Sequence, residues 1–311
     1  MNDDVRARWP SLPFAEWKDT AATLHMWTQI VGKIRMVQTP WINHSWHVTL
    51  YVSPRGLTTS SIPHGNRTFR IEFDFIDHRL LIETCDDERR EVALKPRTTA
   101  AFYAAVMAAL NELELPVTIS PTPNEVDPAI PFAEDRKHAS YDRDACHRFW
   151  KALVQVDRLF GEFRARFTGK ASPSHFFWGS FDLAVTRFSG RAAPPHPGGF
   201  PNMPDAVTRE AYSHEVSSVG FWPGGEMMPE AIFYSYAYPV PDGFADERVL
   251  PEAASWNAEL GEFVLPYEAV RTADDPDAML LAFMQSTYEA AARAGKWDRA
   301  SLERTFGRRP A

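Results

Sequence analysis

Residues 85–94 (CDDERREVAL) and 256–265 (WNAELGEFVL) align without a gap, keeping Glu88 with Glu259, Glu91 with Glu262 and Leu94 with Leu265. Each stretch reads as a polar turn entering a strand. Each then runs into a helix, over 98–113 in the first case and 276–294 in the second, with Ala, Leu, Met and aromatics at helical spacing. Self-similarity constrains a fold more than propensity does, because a chain that repeats its plan must bury the same faces twice.

Earlier segments fall into the same order. An amphipathic helix around Trp27 and another around Trp150 each lead to a Gly-Lys pair, Gly32-Lys33 and Gly169-Lys170. A His/Trp-rich entry follows, residues 43–47 (NHSWH) against 174–178 (SHFFW), and then an alternating strand: Val48, Leu50 and Val52 in one copy, Phe181, Leu183 and Val185 in the other. Strands joined by short turns imply antiparallel sheet with helices to one side, so the expected class is α+β: two pseudo-equivalent halves, each an antiparallel sheet flanked by an opening and a closing helix. A shared helix–strands–helix rhythm without duplication would look similar. The first half covers 1–115, a proline-rich connector 116–140, the second half 141–300 and a tail 301–311. A long loop over 191–206, with six prolines and glycines between Pro194 and Pro201 and Pro204 beyond, interrupts the second half as a lid or a surface insertion.

Composition narrows the function classes. A net charge of -8 over 311 residues argues against nucleic-acid binding and against an anionic membrane surface. Two cysteines cannot build a disulfide framework. The longest apolar run, 100–110, is about half of the ~20 residues a spanning helix needs. The first residues carry Asp3 and Asp4 and lack an apolar core, so a cytoplasmic protein with reduced thiols is expected.

The chemistry-bearing residues sit on strand faces. Period two sets His47 and Tyr51 opposite the apolar Val48-Leu50-Val52 face, and it groups Asp182, Ala184 and Thr186 in the second copy. Arg70, Glu72 and Asp74 share a face, as do Tyr234, Tyr236 and Tyr238, which the repeat sets as counterparts. A solvated sheet face accounts for the charged trio, whereas Trp46, His47, Tyr51 and the tyrosines are bulky for solvent and would suit core or a pocket. If the two polar faces converge, they form a cleft between the halves that takes a small molecule. The expected groups are then His47, His175 or His214 as general base, Asp182 or Glu72 as carboxylate partner, and Trp46, Tyr51, Trp178, Trp222, Tyr234 and Tyr236 as ligand contacts. A divalent transition metal would draw on His44, His47 and His175, although no helical His-Glu-x-x-His spacing supports one. His214 and Glu215 are adjacent in a strand and point to opposite faces, so they cannot pair. A small-molecule enzyme is the leading expectation, a non-catalytic ligand-binding protein its rival, and a protein–protein module using the proline-rich loop a third.

Residues 27–33 (WTQIVGK), 43–47, 73–78, 174–191 (SHFFWGSFDLAVTRFSGR) and 212–225 together resemble an uncharacterised bacterial family of about this length, catalogued as a domain of unknown function. The resemblance runs from about Trp9 to the helix near Trp297. It implies a stand-alone soluble bacterial protein and transfers no activity, cofactor or catalytic residue.

Overall fold

In the computed structural model, residues 8–226 and 228–304 are described. The expectations for the first residues and for most of the tail lie outside them. Seven α-helices and twelve strands are present among these residues: α1 (Phe14–Gln38), α2 (Thr99–Glu112), α3 (Arg143–Ala165), α4 (Asp205–Ala211), α5 (Tyr267–Arg271), α6 (Pro276–Ala294) and α7 (Arg299–Leu302). The strands are β1 (Tyr51–Val52), β2 (Gly56–Thr58), β3 (Ile62–His64), β4 (Arg67–Asp74), β5 (Arg79–Thr84), β6 (Arg89–Ala93), β7 (His175–Phe177), β8 (Asp182–Ala192), β9 (His214–Trp222), β10 (Ile232–Tyr238), β11 (Ser255–Asn257) and β12 (Glu262–Pro266). The class is α+β, and every strand pairing is antiparallel.

Local chemistry sets the helix ends. Thr98, Asp142 and Asp275 each accept a backbone N–H of the first turn of α2, α3 and α6, and Pro276 fills a position whose N–H would have no partner. Helix α1 stops where Pro40 forces Thr39 into extended backbone (φ -91°, ψ 135°).

Each half builds its own six-stranded sheet. The first runs β1-β2-β4-β5-β6 with β3 also on β4; the second runs β7-β8-β9-β10-β12-β11. The two meet edge to edge through one antiparallel bridge, in which Leu50 N–H donates to Phe176 O (2.9 Å) and Phe176 N–H to Leu50 O (2.8 Å). Counted outward from this junction, the similar segments 85–94 and 256–265 reach β6 and β12, the fifth strand of each path. The strands proposed as counterparts, β4 and β10, take different positions, third and fourth, and β11 has no equivalent in the path of the first half.

Helices cover one side of each sheet. Trp27 of α1 stacks on Phe102 of α2 (4.3 Å, 8°), and Phe102 lies over Phe73 of β4 (6.4 Å, 16°). Burying such aromatic side chains contributes roughly 1.5–3 kcal/mol each. In the second half α3 and α6 cover β8, β9 and β10. There Arg187 is buried with its guanidinium over Phe163 (3.5 Å) and Tyr288 (4.3 Å), donating to Phe163 O.

The strand expected over 48–52 is reduced to two residues. His44 (φ 60°) and Ser45 (φ 57°) turn the chain through the left-handed region just before it. Arg35 then reaches up from α1 and takes the carbonyls of His47 (2.8 Å), Thr49 and Thr59. Carbonyls committed to a guanidinium are not free for a β-ladder.

Candidate functional site

The polar faces of the two sheets meet different fates. On the first sheet, Arg70 is exposed and paired with Glu83 (2.6 Å), and Arg67 pairs with Glu88 (2.6 Å). A recess of about 370 Å³ on that face is lined by Arg70, Glu83, Cys85, Glu88 and Arg89, but these charges are already matched to one another or to solvent. On the second sheet, the register aligns Phe177 with Asp182, Thr186 with Ser218, Gly220 with Tyr234, and Ser218 with Tyr236, so these side chains share the face away from α3 and α6. This face of the second sheet is roofed by loops, and at its β7 edge Trp46 and Tyr51 of the first half pack against His175.

Asp182 lies at its centre. The chain reaches it through Phe181, whose φ of 62° is rare for an aromatic residue, and the turn lets Ser180 Oγ donate to Asp182 Oδ1 (2.9 Å). Tyr234 Oη donates to Oδ2 from two strands away. That reach depends on Gly220: a Cβ there would stand 2.2 Å from Tyr234 Cζ and Oη, so the phenol lies flat across the intervening strand. Beside it Tyr236 and Tyr212 share a hydroxyl hydrogen bond (2.9 Å).

Two further carboxylates share the site, Glu262 from the start of β12 and Glu125 from the connector. Glu125 lies against Gly179, where a Cβ would be 1.9 Å from its Oε1. Burial raises Asp182 to about 6, with the Tyr234 and Ser180 hydrogen bonds pulling the other way. Burial and then the charge of Asp182 raise Glu125 and Glu262 to about 7 each. No other charge acts appreciably on either glutamate. Unpaired carboxylates that share a low-dielectric site hold protons near neutral pH.

The roof is made by the connector and the proline-rich loop. Glu125 N–H donates to Pro201 O (2.8 Å), and Asn202 Nδ2 to Val126 O (2.8 Å). His196 stacks on Tyr212 (4.7 Å) and Tyr238 Oη donates to Pro194 O (2.9 Å). From below, α1 presents His25, Gln29 and Lys33 four residues apart on one face. Gln29 clasps the Asn124 backbone at both ends (2.8 Å each), Lys33 Nζ donates to Asn124 Oδ1, and His25 Nε2 meets Gly179 O (2.8 Å). Burial lowers Lys33 to about 8 and His25 to about 4.

Of the expected residues, Asp182, Tyr234 and Tyr236 come together. Trp222 ends β9 on the same face, packed against Gly225. Trp178 does not line the face: it is buried, donates to Val48 O (2.8 Å), and fills the space above Gly32 and Lys33. Glu72 is a buried residue of the first sheet, accepting from Ser53 and lying 3.8 Å from Arg70. The histidines do not form a metal set. His44 uses Nδ1 on Ala211 O (2.9 Å) and Nε2 to accept from Lys170 Nζ (2.7 Å), while His47 turns Nδ1 to the backbone of Ile42 (3.3 Å). His214 bonds Ser213 Oγ (3.0 Å), and Glu215 turns away to Arg191 (2.6 Å). Among the described residues no three His, Cys, Asp or Glu side chains converge as metal ligands. His175 is buried against Trp46 (5.7 Å) and Tyr51 (5.5 Å).

Sequence reasoning missed Glu125, Glu262 and the His25–Gln29–Lys33 stripe. The stripe was visible as polar residues at i, i+4 and i+8 in a helix otherwise rich in buried residues. Nothing local marked Glu125, which gains its role from its contact with Gly179, far along the chain. Among the described residues no helix is long and apolar enough to cross a membrane. No curated protein and no solved structure matches the chain. A family profile does match, over residues 9–304 of the 311, and the chain belongs to that family, the family of unknown function DUF5996.

Proposed function

We propose that this protein is a cytoplasmic enzyme that transfers protons on a small organic molecule bound over the roofed face of the second sheet. Asp182, Glu125 and Glu262 are its acid–base groups, and Tyr234 is the donor that orients Asp182. The observation that carries this reading is the meeting of three carboxylates at one site, each raised by burial, with the charge of Asp182 raising the two glutamates further. With Asp182 near 6 and the glutamates near 7, a base and an acid coexist at physiological pH, the condition under which general acid–base catalysis is most effective. The exposed free thiol of Cys85 suits a reducing compartment.

The test works with a substrate that has yet to be identified. Purified protein is incubated with a metabolite extract, and consumption is followed by mass spectrometry beside Asp182→Asn, Glu125→Gln and Glu262→Gln variants of matched melting temperature. The expected result is a species consumed by the wild type and at least a hundredfold more slowly by Asp182→Asn. Equal consumption by all four proteins, or by none, overturns the proposal.

A further inference from the structure

A second set of polar groups, not used by the acid–base reading, surrounds Tyr51. His175 is only 1% exposed, and neither ring nitrogen has a hydrogen-bond partner. A neutral imidazole always carries one N–H, so at least one buried donor here has no acceptor from the protein. Arg35 is 6% exposed and donates only to carbonyls and to Tyr51 Oη (3.4 Å), with its guanidinium 4.9 Å from the Tyr51 ring. Its charge has no carboxylate partner within ion-pair distance among the described residues. The charges that act on His175 come from Arg35 and Arg164, both positive. A buried cation and a buried imidazole, both lacking an anionic acceptor and both bordering one tyrosine, leave a local excess of donors and positive potential.

The covering groups are three aromatic rings set edge-on to His175: Trp46 (5.7 Å), Tyr51 (5.5 Å) and Phe177 (5.7 Å). Each is only half-buried, so rotation of one of these side chains opens a route to the imidazole. Trp46 follows the two left-handed residues His44 and Ser45, a strained entry of the kind found at ligand clamps.

We propose that the Trp46–Tyr51–Phe177 cluster over His175 is a binding site for a planar aromatic carboxylate. The ring of the ligand lies against the aromatic side chains, and its carboxylate accepts from His175 and Tyr51 within the field of Arg35. His175 and Phe177 lie on the same face of the second sheet as Asp182, opposite Ala184 and Asp182 in the register, but the site uses none of the three carboxylates and does not depend on their role.

Benzoate is the probe, with benzamide as its uncharged isostere and benzylamine as its cationic counterpart. Binding to the full chain is followed by calorimetry and tryptophan fluorescence, beside the His175→Phe, Tyr51→Phe and Asp182→Asn variants. Saturable benzoate binding is expected, at least tenfold tighter than benzamide, with benzylamine inert. His175→Phe should weaken benzoate at least tenfold and raise the melting temperature of the free protein, because it removes an unsatisfied donor. Tyr51→Phe, at a half-buried position, should weaken benzoate without unfolding the protein, and Asp182→Asn, which removes a negative charge opposite Phe177 in the register, should not weaken it. Absence of saturable binding, equal affinity for benzoate and benzamide, or a His175→Phe variant that is less stable yet binds normally, each overturns the proposal.

Discussion

Gly220 and Asp182 define the geometry of the site at the level of single atoms. The hydrogen bond from Tyr234 to Asp182 crosses a strand that has no side chain at the crossing point, and an added methyl would occupy the space of the phenol. Gly220→Ala should therefore push the ring off the carboxylate. A hydrogen bond to a charged group is worth about 1.5–3 kcal/mol. Losing one that favours the ionised form moves Asp182 upward from about 6. The expected outcome is a rise of one unit or more in the apparent Asp182 titration, followed by carbon-13 NMR of the carboxyl, with a fall of tenfold or more in turnover. An unchanged titration would mean that Tyr234 does not set the protonation of Asp182. Gly179→Ala offers a second probe, because the methyl would meet Glu125 Oε1 and push that carboxylate aside without touching Tyr234.

Between elements, the decisive contact is the clasp of α1 on the connector. Gln29 satisfies both the N–H and the C=O of Asn124, as a neighbouring strand would, and this places Glu125 over Gly179. Gln29→Leu leaves both backbone groups without that partner, at a cost of about 1–3 kcal/mol each if they remain buried. The expected result is a lower melting temperature together with faster amide exchange at Asn124 and Glu125, while amides of β9 and β10 keep their protection. Uniform loss of protection would make Gln29 a general core residue instead. The same contrast explains what could be read from the sequence alone. Helices α2, α3 and α6, strand β9 and the shared face of Asp182 with Thr186 follow from periodicity and end signals, which are local. The shortening of β1 by Arg35, the recruitment of Glu125 and the burial of Trp178 depend on residues far apart in sequence. Glu72 shows the same limit: alternation names the face it shares with Arg70, but not that it is buried and accepts from Ser53.

Across the whole molecule, two sets of buried and half-buried titratable groups oppose one another. His175 and His25 are held neutral by burial, at about 3 and 4 against an ordinary 6.5. The stability they contribute is fully present above pH 6.5 and is lost as pH falls toward those values. Asp182, Glu125 and Glu262 are raised from 3.8 and 4.5 to about 6, 7 and 7. Their contribution is fully present below about pH 4 and is lost as pH rises through 6 to 7. Between these limits the slopes have opposite sign, and one group titrating in only one state contributes about 1.4 kcal/mol per pH unit. Single substitutions should separate them. Asp182→Asn removes a downward slope, so between pH 4 and 6 its unfolding free energy should rise with pH more steeply than that of the wild type. His175→Phe removes an upward slope, so between pH 3.5 and 6.5 it should gain on the wild type as the solution is acidified. Urea titrations at four pH values measure both differences, and they cancel the background from exposed carboxylates common to all three proteins. Should the Asp182→Asn curve run parallel to the wild type, Asp182 titrates as an ordinary carboxylate and the acid–base role loses its electrostatic basis. Should the His175→Phe curve run parallel instead, the imidazole has found a partner such as water, and only the benzoate site loses its support. The two sites thus answer to the same experiment through different variants, and one can fail while the other stands.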